Sequence, residues 1–208
     1  ILIFGFGDGD SACGSVVGVS TLFGSTDSSD NICADAGDQT ADCAPGDANG
    51  DGSVNVTDIV GMVSVILGGD AELSDCADVN DDGQLNVTDI VGVVSIILGN
   101  GRAADATSAE IIKTETAVKL NANGFIGAVQ MTLTHGDDFS IDLNSALVAE
   151  YNTIENSTTL IIVVPESEEL FTTEGDFEVA EFIIANSAGA IDASMMVTPE
   201  VFGLSSAY

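Results

Sequence analysis

One stretch of the chain is written twice. Residues 47–68 read DANGDGSVNVTDIVGMVSVILG and residues 78–99 read DVNDDGQLNVTDIVGVVSIILG, identical at 16 of 22 aligned positions with a period of 31 residues. Agreement that dense marks a duplicated structural unit, so the two copies must share one local fold. In each copy an acidic stretch gives way to apolar residues at helical spacing: Ile59, Met62, Val63, Ile66 and Leu67, then Ile90, Val93, Val94, Ile97 and Leu98. Gly68 and Gly99 stand where those helices stop. Gly61 and Gly92 lie inside them, each at a cost of about 1 kcal/mol, and close packing of one helix on the other is the expected reason.

The acidic stretches have the spacing of an EF-hand type calcium loop, which needs oxygen donors at positions 1, 3, 5, 7, 9 and 12 and a glycine at 6. The first copy supplies Asp47, Asn49, Asp51, Ser53, Asn55 and Asp58, with Gly52 at the turn. The second supplies Asp78, Asn80, Asp82, Gln84, Asn86 and Asp89, with Gly83 at the turn. Ser53 and Gln84 would contribute backbone carbonyls, and Asn55 and Asn86 would act directly or through water. A loop of this length curls alternate side chains inward and gathers carboxylates around one hard cation, so two Ca²⁺ ions are expected.

Asp in place of Glu at position 12, and the lack of a helix-forming segment before either loop, make residues 47–99 resemble the dockerin family. The resemblance implies a module of two loop-helix calcium repeats that pairs with a cohesin β-sandwich. It also implies recognition side chains at loop positions 10 and 11 and within the following helix. Those places hold Val56, Thr57, Val63 and Ser64, and then Val87, Thr88, Val94 and Ser95, without the basic residues common there. Residues 110–208 resemble a cohesin-like sandwich, through GAVQMTLTHGDDFSIDL and GDFEVAEFIIA. Two arrangements are open: the modules pack on each other as a rigid rod, or the sandwich of one chain receives an element of the next.

From residue 110 the apolar period is two. Candidate strands are residues 111–120, 125–134, 139–143, 147–153, 159–164, 176–184 and 190–197, separated by Gly, Asn, Asp and Ser clusters, which suggests a β-sandwich. The expected fold class is therefore α+β, mainly β. Its divisions are an N-terminal strand-like segment with an acidic loop (1–42), a dockerin-like unit (43–100), a linker (101–109) and an antiparallel sandwich (110–208).

Thirty-four Asp and Glu face three Lys and Arg, for a formal charge of -31, which excludes nucleic acid and anionic membranes as partners. Neither apolar helix approaches the roughly 20 residues needed to span a bilayer. Ile at position 1 suggests a removed signal peptide, and four cysteines suit an oxidising extracellular setting. Three disulfide connectivities exist. Cys43 with Cys76 would clamp the two repeats, leaving Cys13 with Cys33.

The segment Ile1 to Gly7 is apolar on both faces of a strand, so it is either a core element of its own chain or a strand added head to tail to a neighbouring sandwich. Asn156-Ser157-Thr158 fits the N-glycosylation pattern, as do Asn55 and Asn86 within the metal loops. His135 reads as a turn residue, and no nucleophile-base set or phosphate loop is visible, so no enzymatic activity is expected. The expected function is a secreted structural subunit that assembles outside the cell into fibres. The opposing one is the accessory anchoring region of a larger secreted hydrolase, with a cohesin- or dockerin-type partner.

Overall fold

The computed structural model describes residues 43–99 and 103–198. The segment 1–7, its proposed head-to-tail contact and the Cys13–Cys33 pair therefore lie outside the described residues. The described residues form one compact unit.

Among the described residues two helices come first, α1 (Val56–Ile66) and α2 (Val87–Leu98), with a 3-10 turn (Asp75–Ala77) just ahead of the second loop. Both helices start as the sequence dictates. Asn55 accepts a hydrogen bond from the Thr57 amide and the Asp58 carboxylate reaches back to the Asn55 amide, and Asn86 and Asp89 repeat the arrangement. Among the described residues a disulfide joins Cys43 to Cys76, whose Cα atoms are 6.1 Å apart. Beside it the Gly46 amide donates to the Cys76 carbonyl (2.9 Å), and the Ser74 hydroxyl donates to the Asp47 carbonyl (2.6 Å). The first loop is thus tied to the approach of the second.

Ten strands follow: β1 (Ala109–Lys113), β2 (Ala117–Ala122), β3 (Ala128–His135), β4 (Ser140–Leu143), β5 (Ala146–Ile154), β6 (Ser157–Pro165), β7 (Glu169–Glu174), β8 (Phe177–Asn186), β9 (Gly189–Ala190) and β10 (Ala193–Val197). They form two five-stranded sheets, ordered β10-β1-β2-β7-β4 and β5-β6-β3-β8-β9. The pairings are antiparallel except β1 with β10, which run parallel. The fold is α+β and mainly β.

The structure departs from the strand expectations at four places. Residues 111–120 are two strands, because Thr114 closes a turn: its hydroxyl accepts from the Ala117 amide (3.0 Å) and its own amide donates to the Ala117 carbonyl (2.9 Å). β7 buries Leu170, Phe171 and Thr173 but lies in an acid-rich stretch that hid it. The last expected strand, residues 190–197, divides into β9 and β10. The stretch 101–109, expected as a linker, belongs partly to the sandwich: Ala106 is buried, its amide donates to the Phe125 carbonyl, and β1 already begins at Ala109.

The inner glycines also differ from expectation. A Cβ on Gly92 would lie 2.8 Å from Val79 of the preceding loop, and one on Gly61 would touch Leu73 at 3.4 Å. Those positions make room for loop side chains, and the other helix is not what crowds them.

The period of two in β3 and β6 divides the interior in two. Val129, Met131, Leu133, Leu160 and Ile162 point between the sheets, where they join Ile111, Val118, Phe171 and Ile184. Ala128, Ile161 and Val163 point the other way, where with Val148 and Ala185 they form a core shared with Ile59, Met62, Val63, Val87, Ile90, Val91 and Val94 of the helices. The second sheet is therefore apolar on both faces, and the helices cover one of them. Contact is closest at Gly127, where a Cβ would stand 2.5 Å from a Val91 methyl.

Replacing Gly127 by Leu is expected to force the helices off the sheet at a cost of about 1–3 kcal/mol. Denaturant unfolding of the variant beside the parent chain measures that loss. An unchanged midpoint would mean that the seam contributes nothing.

Candidate metal centre

The two loops have one hydrogen-bond pattern. In the first, the Asp47 carboxylate accepts from the amides of Asp51 (3.0 Å) and Gly52 (2.9 Å), and Asp51 accepts from the Ser53 amide (2.9 Å). In the second, Asp78 accepts from Asp82 (3.2 Å) and Gly83 (2.8 Å), and Asp82 from Gln84 (2.8 Å). The Asn49 and Asn80 side chains each accept from the amide two residues on and donate to Thr57 and Thr88. Asn55 and Asn86 donate to the carbonyls of Ser53 and Gln84 while capping their helices. Gly52 and Gly83 take φ of +88° and +79°, the left-handed turn for which glycine is suited. Position 4 is left-handed too, by Gly50 in the first loop and Asp81 in the second.

The deepest carboxylates are those at position 12, with Asp47 of the first loop nearly as buried. Asp58 and Asp89 are fully buried, and both oxygens of each are held by backbone amides. Asp58 accepts from Asn49 (3.1 Å) and Asn55 (2.8 Å), and Asp89 from Val79 (3.1 Å), Asn80 (3.4 Å) and Asn86 (2.9 Å). Burial pushes the Asp89 carboxyl above the ordinary carboxylate range. The Asn86 and Asn80 amides pull it down, and the neighbouring Asp78 and Asp82 charges add to the rise. A divalent cation would reverse that balance by favouring the charged form.

Among the described residues no three Asp, Glu, His or Cys side chains are drawn together as a ready cage, because these carboxylates are turned onto backbone amides. The donor chemistry nevertheless fits a hard cation. Every donor in the sets 47–58 and 78–89 is an oxygen, and a carboxylate oxygen that accepts one N–H keeps a further acceptor site. Among the described residues no cationic side chain pairs with a loop carboxylate; the one ion pair joins Lys119 to Glu169 (3.4 Å) in the sandwich.

The remaining polar candidates hold the sandwich. His135 stacks on Phe139 with ring centroids 4.0 Å apart, and its ring nitrogens meet Thr158 Oγ1 (2.8 Å) and the Gly136 carbonyl (2.9 Å). The Asn156 amide group donates to the His135 carbonyl (2.9 Å) and to Asp137 (3.1 Å). Val63 and Val94 are buried, the Ser95 hydroxyl donates to the Val91 carbonyl, and Val87 lies against the sheet core.

Residues 45–98 match the dockerin type I domain. That family is a calcium-binding, non-catalytic one, and the dockerin-like repeats precede a β-sandwich in this chain. A solved structure, a non-cellulosomal cohesin from the hyperthermophilic archaeon Archaeoglobus fulgidus, is 13% identical with a TM-score of 0.30, over 46% of this chain and 88% of that one. No curated protein sequence matches the chain. No helix among the described residues is long and apolar enough to cross a membrane.

Packing of the dockerin-like segment on the sandwich was one of the two arrangements open to sequence reasoning, which did not name the residues of the seam. Its residues include Val91, Gly127, Ile161, Val163 and Asn152, whose side chain donates to the Leu67 carbonyl at 2.9 Å. The run Leu160 to Val164, apolar at every position, was the available signal, since a strand of that kind is buried on both faces.

Asn55→Ala and Asn86→Ala should each remove a helix cap and cost about 1 kcal/mol, read from the denaturation midpoint in chelator so that metal plays no part. Variants as stable as the parent would show that the caps carry no stability.

Proposed function

We infer that the chain is a secreted, non-enzymatic structural subunit of an extracellular assembly, joined to its neighbours by strand or module exchange and stiffened by two calcium ions. One ion would be held by Asp47, Asn49, Asp51, Ser53, Asn55 and Asp58, and the other by Asp78, Asn80, Asp82, Gln84, Asn86 and Asp89. Bound calcium supplies charge neutralisation there and no chemistry on a substrate. The observation that carries the reading is the shared core: Asp58 and Asp89 open the helices whose apolar faces merge with the second sheet. Ordering a loop thereby orders the surface that covers the sandwich.

The apolar segment Ile1 to Gly7 provides the strand to be exchanged, because it bears no charge in a chain of net charge -31. A head-to-tail contact of this type repeats without closing and gives fibres. A cohesin- or dockerin-type protein is the other partner class that the modules favour.

Calcium removal is expected to lower the melting temperature by about 5 °C or more, equivalent to roughly 2 kcal/mol in a domain of this size. Calorimetry with calcium and with excess chelator decides it, and coincident melts would refute a structural role for the ions. Deleting residues 1–7 should leave that melt in place and abolish polymers in negative-stain images. Polymers that persist would remove the strand from the assembly.

A further inference from the structure

The two sheets end in four outer strands, and the sequence treats them unequally. β4 carries Asp142 and β5 carries Glu150. β9 covers β8 only at Ala185 and Asn186, so the rest of that edge belongs to β8, which carries Glu178 and Glu181. A charge on an outer strand keeps other chains from pairing with it. β10 has no such guard: residues 193–199 read ASMMVTP, with Asp192 before them and Glu200 after. In a chain of net charge -31, that is an edge left open to pairing.

The packing of β10 agrees. Among the described residues it pairs with β1 alone, so the other row of its backbone N–H and C=O groups has no strand partner. The parallel register sets Ala193 beside Ala109, Met195 beside Ile111 and Val197 beside Lys113. Those three β10 residues share one face, and Ala193 packs on the core between the sheets. Ile111 is fully buried there and Lys113 nearly so, yet Met195 and Val197 are 39% and 60% exposed. Met196, on the opposite face, is 47% exposed. The sandwich interior therefore lies uncovered along β10, and the strand is apolar on its other face too. An edge of this kind takes a strand that is itself apolar on both faces.

We propose that β10 is the edge that receives the exchanged strand: residues 1–7 of a neighbouring chain pair along Ala193–Val197 as a sixth strand of that sheet. The occupant matches the edge in three respects. ILIFGFG carries no charged side chain and stops at Asp8, and it equals the uncharged run 193–199 in length. It is apolar on both faces of a strand, with Ile1 and Ile3 on one and Leu2, Phe4 and Phe6 on the other. Pairing at β4, β5 or β8 would lay the same segment against Asp142, Glu150 or Glu181 and strip water from a carboxylate that no cation meets. The proposal rests on the reading of residues 1–7 as an exchanged strand and deepens it by naming the receiving edge.

The test uses the full-length chain with calcium. Met196→Lys should abolish polymers in negative-stain images without shifting the calorimetric melt, because Met196 is exposed, while Glu150→Lys on β5 should leave the polymers intact. In parallel, Ile3→Cys is combined with Met196→Cys and treated with a short bis-maleimide, beside the parent chain and each single variant. The double variant alone should give a ladder of covalent multimers.

Polymers that need residues 1–7 yet persist in Met196→Lys would leave strand exchange standing and remove β10 from it. Ladders formed instead from Ile3→Cys with Asp142→Cys, Glu150→Cys or Glu181→Cys would move the contact to another edge and overturn the proposal. So would a double variant cross-linked only within single chains. Dimers from Met196→Cys by itself would assign the edge to β10 of a second copy and equally overturn it. Failure of the exchange reading is seen separately, as polymers that survive deletion of residues 1–7.

Discussion

The packing of Val91 into the notch at Gly127 fixes how everything else in the described chain is arranged. A side chain at 127 would collide with the valine, so glycine brings helix and sheet to full contact. Around that point Ala128, Ala185, Ile161 and Val163 offer a shallow apolar floor, and the helices become part of the same body as the strands. A segment of some fifty residues has little core of its own. Its Ile59, Met62, Ile90 and Val94 are buried in a core that it shares with Ile161 and Val163 of the sheet.

That dependence explains the density of restraints in the loops. Cys43–Cys76, the Ser74 bonds to the first loop and the asparagine caps all fix the ends of short helices that isolated peptides of this length would not hold. Asp58 and Asp89 serve both the helix start and the donor set. Through those two residues, charge in a loop acts on the packing of a helix, and the helix acts on the sandwich.

The helices were legible because three signals agreed: a 31-residue repeat, apolar residues at helical spacing, and capping residues at the right place. Most strands of the sandwich were legible from alternation. β7 was not, since its Glu169 and Glu174 flank a short buried centre, and the turn at Thr114 hid the boundary of β1 and β2 within a stretch where β-branched residues recur on both sides. The donor positions could be named from spacing, but not the turning of their carboxylates onto backbone amides, which depends on φ at residues such as Gly50 and Asp81. The seam was hidden for a different reason. Repetition predicts that both copies are equal, and only the tertiary fold makes Val91 interior and Val60 exterior.

The composition accounts for the chemistry of that seam. Three cations serve the whole chain. Lys119 is spent on Glu169, and Lys113 is buried in the sandwich with its ammonium 4.3 Å from the centre of the Phe177 ring. Neither lies between helix and sheet, so no ion pair contributes there among the described residues. A contact made of carboxylates would repel, and one made of unpaired polar groups would cost desolvation without return. Valine, isoleucine, alanine and glycine are what remains, joined by a hydrogen bond from Asn152 to the Leu67 carbonyl. In so acidic a chain, apolar shape takes over the work that charge complementarity does elsewhere, and it does so at any ionic strength.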